Sequence, residues 1–381
     1  MARTRRPDAT LIFDDTERCP DLFWRTRFAA HDPILFLERN GRRTLVPSDL
    51  ELGRAREDAD VHGVVPLSRY LRRLRRRSGN GASPKMADVI AEICRERKIA
   101  SLLVPGRSRA DLVADLRERG LKVTLGRDPF YPERVRKDER EVAAIRRAVE
   151  ATEAALRVGV DLIASAAIRR GFLYAGGARL TSERVRAAID GHLLEAGCLA
   201  QDTIVAGGEH AIDPHNRGSG PLLAHRPIIL DVFPRDTESG YYADMTRTVV
   251  RGRPSPRVRE MYAAVDDACA YAFGEIRDGA SGMAIHRGIE AIFEARGFET
   301  GPAGDKMQGF FHGTGHGVGL EIHEEPRIGK TRDDTLRAGH VVTVEPGLYY
   351  PGVGGVRIED LVVVREDRCE NLNRFEKRLV V

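Results

Sequence analysis

Cysteine is scarce in this chain, long apolar runs are missing and the excess of positive charge is small, and each lack removes a class of explanation. The five cysteines (Cys19, Cys94, Cys198, Cys269 and Cys369) are odd in number, scattered and never in a C-x-x-C pair. That excludes a disulfide framework and a cysteine-based zinc site, and a reducing compartment is the simpler setting. No stretch approaches the ~18 apolar residues that a membrane helix needs. The basic start MARTRRPDATLIF has no apolar core of the kind a secretory signal carries. The expectation is a cytoplasmic protein with no membrane association. Seven lysines stand against 54 arginines, yet bases exceed acids by only 61 to 57, a net charge of +4. Over 381 residues that excess is too small to mark a nucleic-acid binder.

What is present suits an enzyme-sized α/β protein. Apolar residues make up 42% and charged residues 31%, enough for a sizeable core and against disorder. The length allows two or three domains. In the first ~135 residues, short apolar runs at Ile34–Leu37, Leu102–Val104 and Leu121–Leu125 alternate with helix-like stretches near 66–77, 84–98 and 108–119. Such alternation reads as a mixed α/β layer. The segment 127–133 holds two prolines and no period, and reads as a linker. A helix then opens at Asp138, with Glu141 in capping-box spacing and apolar residues recurring at 142, 145, 149, 152 and 156. The boundary between domains 1–135 and 136–381 is placed there. In the second domain helices are expected at 138–158, 181–196, 257–277 and 283–296. Strands are expected at Pro227–Phe233, Tyr241–Val250, Val341–Tyr350 and Val356–Val364. The arginine run Arg69–Arg77 reads as a solvated helix face with Leu71 and Leu74 turned inward, rather than as a nucleic-acid patch.

Four acids lie on these otherwise apolar strands: Asp231, Asp244, Glu345 and Glu359. Burying one uncompensated carboxylate costs several kcal/mol, and converging like charges raise one another's pKa. Asp231 and Asp244 are 13 residues apart and Glu345 and Glu359 are 14 apart, each pair fitting two adjacent antiparallel strands joined by a loop. Any one of these acids reads as a strand-edge or turn residue. Four in two matching hairpins read as a cation site. Arg357 shares a strand face with Glu359, and Thr246 with Asp244. Between the hairpins runs Phe311-His-Gly-Thr-Gly-His-Gly-Val-Gly-Leu-Glu-Ile-His323, with three histidines and four glycines in 13 residues. It is neither a P-loop nor H-E-x-x-H. It suggests one imidazole ligand with outer catalytic groups. Carboxylates with one imidazole form a hard, oxygen-rich set suited to manganese, iron(II) or cobalt, with zinc also open. Four carboxylates balance two dications, and paired dications ~3.5–4 Å apart acidify a shared water. No cysteine is placed as a nucleophile, and Ser219 lacks the strand-to-helix elbow of a serine hydrolase.

HGTGHGVG followed by VEPGLY and GVRIED resembles the pita-bread metallopeptidases: aminopeptidase P, prolidase and methionine aminopeptidase. The resemblance covers about 245 residues, from 136 to the end. It implies a pita-bread catalytic domain holding two divalent ions, with Mn²⁺ expected and Co²⁺, Fe²⁺ or Zn²⁺ as the other choices. Asp231 then binds one ion, Asp244 bridges both, His316 binds the second with Glu345 beside it, and Glu359 is the second bridge. The resemblance gives His323 a contact with the substrate carbonyl and His215 a part in stabilising the tetrahedral intermediate. It makes His312 an outer histidine and Arg357 the arginine that holds a bridging carboxylate. One departure is that the 13-residue gap exceeds the family's usual spacing, and Asp231-Val-Phe-Pro-Arg-Asp236 replaces an Asp-x-Gly turn. The loop 234–242 is therefore longer, with Arg235, Tyr241 and Tyr242 read as ordinary loop residues.

A leading α/β domain resembles that of creatinase and the proline-specific members, and methionine aminopeptidases generally lack it. Creatinase lacks the ligands, all of which are filled here. The implied activity is therefore hydrolysis of an N-terminal Xaa-Pro bond in a peptide or dipeptide, by a homodimer. Glu345 would shuttle the proton to the leaving nitrogen, while His323 and His215 stabilise oxyanion charge. The alternatives are a methionine aminopeptidase-like or broader dipeptidase, and a binding protein on the same fold. Dipeptidase and aminopeptidase preference stay open at this level.

Overall fold

A computed structural model describes residues 6–78 and 83–381. The basic residues 1–5, part of the expected non-secretory start, lie outside the described residues. The chain divides into two compact units, Met1–Arg134 and Val135–Val381.

The first unit is a mixed six-stranded sheet in the order Gly63–Val64, Arg42–Val46, Ile34–Arg39, Ala9–Asp14, Ser101–Val104, Lys122–Leu125. Both faces are covered. Leu11, Leu35 and Leu37 pack with Ile90, Ile93 and Leu116 on one side. Ile12, Phe36 and Leu45 pack with Leu22, Phe28 and Ala55 on the other, the alternation that a two-residue strand period demands. Residues 127–133, expected to be a plain linker, contribute Phe130 and Tyr131 to this second cluster, because two aromatic rings bury more area there than a tether would leave. The arginine run is helical within Leu67–Ser78. Leu71 and Leu74 pack inward. Arg69 and Arg73 reach Glu96, at 3.1 and 2.7 Å, and Arg73 and Arg77 reach buried Glu92, each at 2.9 Å. Three of the six arginines of the run are thus paired within their own unit.

The second unit repeats one motif: a helix pair over antiparallel strands. The first pair is Glu139–Ala164 and Ser182–Glu195. The Asp138 side chain accepts from the amides of Arg140 and Glu141, and Glu141 accepts from the Asp138 amide. This helix runs past the expected end at 158 because buried Val160 and Ile163 continue its apolar face. The pair packs through Leu156, Ile163, Val185 and Ile189 onto Leu230, Val232 and Met245. Those residues belong to the sheet Ile204–Gly207, Ile228–Val232, Met245–Val249. The second pair, Pro256–Glu275 and Gly282–Ala295, packs onto Val342, Val344, Val362 and Val364.

Two expected strands are each divided. Val341–Tyr350 becomes Val341–Val344 and Gly347–Tyr350, and Val356–Val364 becomes Gly354–Arg357 and Asp360–Val364. Pro346 has no amide to continue the ladder, and the opposite strand changes sheet at the same level, from Val344↔Asp360 to Gly347↔Arg357. Tyr241–Val250 is a continuous strand only from Met245; before it, past the turn 237–239, Tyr242 makes a single antiparallel bridge to Arg235. The glycine strap contributes the strand Gly315–Gly317, between Glu324–Ile328 and Val341–Val344. No helix among the described residues is long and apolar enough to cross a membrane, and the five cysteines are free.

Candidate metal centre

The site forms where the divided strands meet the aspartate hairpin. Asp231 pairs in register with Thr246, so Asp244, two residues earlier, sits at the mouth of the hairpin. The Glu359 amide donates to Thr246 O at 3.0 Å, which joins the two halves of the unit at this level. The Glu345 amide donates to Thr314 O at 2.8 Å and ties the strap to the glutamate strand. The strap can approach so closely only because it lacks Cβ atoms. A Cβ on Gly315 would lie 2.0 Å from Thr343 O, and one on Gly317 would lie 2.2 Å from Glu325 O.

Four carboxylates and an imidazole converge. Asp231, Asp244, His316 and Glu359 are all buried, and ligand atoms of Asp244, His316 and Glu359 lie within 4.8 Å of one another. His316 Nε2 stands 3.4 Å from Glu345 Oε1 and 3.7 Å from Asp244 Oδ2. Its Nδ1 lies 3.1 Å from Gly317 O and must donate there, which leaves the Nε2 lone pair aimed at those carboxylates. Burial and the neighbouring His323 pull its pKa down to about 3, so the ring is neutral and Nε2 carries no proton of its own. Asp231 Oδ1 is buried with no hydrogen-bond partner among the described residues. Burial, then the neighbouring acids, raise Asp244 and Glu359 well above the usual carboxylate range, and burial pushes Glu345 up to about 7. Acceptors aimed at one another, an orphaned oxygen and mutually repelling acids are what a cation-binding set looks like, and the donors fit divalent ions.

Arg357 donates through Nη2 to Asp231 Oδ2 at 2.7 Å, through Nε to Thr246 Oγ1 at 3.2 Å and through Nη1 to the Tyr349 hydroxyl at 3.0 Å. It was expected on a bridging carboxylate and instead holds Asp231 directly. It reaches Glu359 through Thr246, whose Oγ1 donates to Glu359 Oε2 at 2.6 Å. The reason is register: Asp231 and Thr246 are paired across the hairpin, and the fork of one guanidinium spans both.

The remaining sequence candidates lie farther out. His312 Nδ1 lies 2.8 Å from Gly313 O and donates to it, so its Nε2 accepts from Tyr349, 2.9 Å away. Burial and Arg357 bring His312 down to about 3. His323 is an exposed residue whose ring lies 4.4 Å from the ring of His316; partial burial of the imidazole, then Arg327, lower its pKa. His215 is exposed and close enough to act electrostatically on both His312 and His323. Arg235 donates to Gly240 O and Tyr241 bonds Glu141, so both serve the longer loop.

Sequence reasoning missed Tyr349, Thr343 and His286. Thr343 Oγ1 accepts from the His316 amide and donates to Glu345 Oε1, at 3.0 and 3.3 Å. The fixed spacing of Thr343 before Glu345 was a usable signal. His286 lies 2.9 Å from Thr314 Oγ1 but sits on an ordinary apolar helix face, and nothing in its spacing announces it.

Fold and site together define a hydrolase of the metal-dependent kind. The chain belongs to metallopeptidase family M24, whose profile matches residues 143–366. It is 35% identical over 181 residues to a Xaa-Pro dipeptidase of Pyrococcus furiosus, covering 48% of this chain and 49% of that one. It is 29% identical over 250 residues to the Pyrococcus horikoshii Xaa-Pro dipeptidase, covering 65% of each. The aligned stretch thus spans about half to two thirds of these curated relatives. In structure it matches the X-Pro aminopeptidase of Thermotoga maritima with a TM-score of 0.82 at 26% identity, covering 98% of both chains. The mixed α/β architecture is that of these pita-bread enzymes.

Proposed function

We propose that this chain is a dinuclear-metal exopeptidase that hydrolyses the bond between an N-terminal residue and a following proline. The observation that carries the reading is the convergence of the neutral His316 Nε2 lone pair with the carboxyl groups of Asp244, Glu345 and Glu359. Asp231, Asp244, His316, Glu345 and Glu359 would hold two divalent ions, Mn²⁺ first among the candidates. When bound, such ions polarise a carbonyl and make water a nucleophile near neutral pH.

The protein's own groups do the rest. Arg357 fixes the orientation of Asp231 and, through Thr246, of Glu359. Glu345, held by Thr343 and by its own amide on Thr314, hands a proton to the leaving proline nitrogen. His323 and His215 face the developing oxyanion. His312 donates to the strap carbonyl of Gly313 and is locked by Tyr349. Related proteins named both Xaa-Pro dipeptidase and X-Pro aminopeptidase support the proline preference. Residues 1–135 form the creatinase-like domain of this reading, with a cytoplasmic homodimer as its cellular form.

The test is metal-stripped protein reconstituted with Mn²⁺, Co²⁺ or Zn²⁺. Proline release from Ala-Pro and alanine release from Ala-Pro-Ala-Ala are followed, with Glu359→Ala alongside. Metal-dependent cleavage lost in the variant is expected, and the preferred substrate separates prolidase from aminopeptidase P behaviour. No turnover of either with metal bound overturns the reading.

A further inference from the structure

Among the described residues none hydrogen-bonds the imidazole of the exposed His323, so its position is set by the turn that carries it. That turn, Gly319 to Glu324, is anchored from an unexpected direction. Glu324, the next residue, is buried, and its Oε2 lies 2.7 Å from Lys137 Nζ, 187 residues away. Both side chains are almost wholly excluded from solvent, at 1% and 2% exposed. The pair is directional at each end. Lys137 Nζ also donates to Val135 O at 3.2 Å, and Glu324 Oε1 accepts from the Glu321 amide at 3.1 Å. Lys137 itself is pinned by its amide, which donates to Gly339 O at 2.7 Å.

A second tie arrives at the same turn. The Tyr242 amide donates to Gly319 O at 2.8 Å, and the adjacent Tyr241 hydroxyl bonds Glu141 on the first turn of the long helix. Gly319 has no room for a side chain, since a Cβ there would sit 2.7 Å from both Glu324 carboxylate oxygens. The first residues of the unit therefore clamp both loops that frame the site, the one before Asp244 and the one carrying His323. A buried ion pair is a poor source of net stability, because desolvation offsets its attraction. Its strength is geometric: neither charge tolerates leaving the other.

We propose that Lys137 is a positioning residue for His323, acting through Glu324. The proposal rests on the exopeptidase reading above for the role of His323, but not for the clamp itself.

The experiment is a double-mutant cycle on metal-loaded protein with Ala-Pro and Ala-Pro-Ala-Ala. The neutralised pair Lys137→Met with Glu324→Gln is measured in the wild-type and His323→Ala backgrounds. Glu324→Asp, which keeps both charges and shortens the reach, serves if the neutralised pair fails to fold. Displacing a group that touches the reacting atoms costs about 10–100-fold. A loss of that size is expected in the wild-type background, with less than about twofold in the His323→Ala background and unchanged metal stoichiometry. Equal losses in both backgrounds would overturn the proposal. Hydrogen exchange of the metal-free proteins provides a readout independent of turnover. The Gly319–Glu324 amides should exchange faster in the variants while the helix Pro256–Glu275 is unaffected. Unchanged exchange in that turn overturns the clamp. If the wild type turns over neither peptide, the exopeptidase reading fails and exchange alone decides the clamp.

Discussion

Glu359 and Asp360 are neighbours on one chain segment, each about 2% exposed, and their carboxyl groups shift in opposite directions. Asp360 faces away from the site. Burial alone would raise its pKa, but Arg247 at 2.7 Å and Lys377 at 3.1 Å outweigh burial and hold it below the usual range. Glu359 faces into the site, where burial and then Glu345 and Asp231 drive it far up. Burial is common to both, so burial does not make a site. What differs is charge balance. One side of the strand is neutralised by the protein's own cations, while the other has four acids and a single arginine. A fold that tolerates the second arrangement is one that meets its cations from outside.

The comparison can be broken at either residue. Glu359→Ala is expected to lower turnover by at least about 10⁴-fold, about 5 kcal/mol of barrier, while leaving the metal-free protein as stable as the wild type. Full activity in that variant would remove Glu359 from the site. Asp360→Ala should do the reverse. It strands Arg247, which is 2% exposed, and should cost about 3–5 kcal/mol of stability in urea unfolding. Its metal stoichiometry at saturation should be kept.

Smaller effects sharpen the contrast. The Glu345 carboxyl rises from 4.5 to about 7 in the folded protein. Between those values the folded chain keeps a proton that the unfolded chain has lost. The Glu345 contribution to stability therefore falls as pH rises through that window. Metal-free wild type should lose up to about 3 kcal/mol relative to Glu345→Gln across it. Urea titrations at several pH values read the difference, which saturating Mn²⁺ should abolish. A flat difference in the metal-free proteins would show that Glu345 is already ionised there. Arg357→Lys keeps the charge but loses the fork over Asp231 and Thr246. It should cost about 10–100-fold in metal affinity, measured by calorimetry.

Much of the site was legible because its chemistry is locally improbable. Acids on apolar strands, and three histidines among glycines, have few ordinary explanations. The helices were legible for the same kind of reason, since Asp138 and Glu141 announce one start and a 3.6-residue period carries it on. The strands Ala9–Asp14 and Arg42–Val46 escaped because one is masked by neighbouring charge and the other opens on two arginines. Tyr349 escaped because a tyrosine in VEPGLY looks like any strand aromatic. Only the fold brings its hydroxyl between His312 and Arg357.

By itself the amino-acid order determined the chemistry on offer: which acids, which imidazoles, and the glycines that let a strap come close. Tertiary structure alone decided which charges are balanced. Neither Asp360 against Glu359 nor Lys137 with Glu324 can be sorted from sequence. The cations that neutralise Asp360 and leave Glu359 bare lie 17 and 113 residues away, and Lys137 lies 187 residues from Glu324. Electrostatic energy depends on distance in space and on burial, and neither is written in separation along the chain.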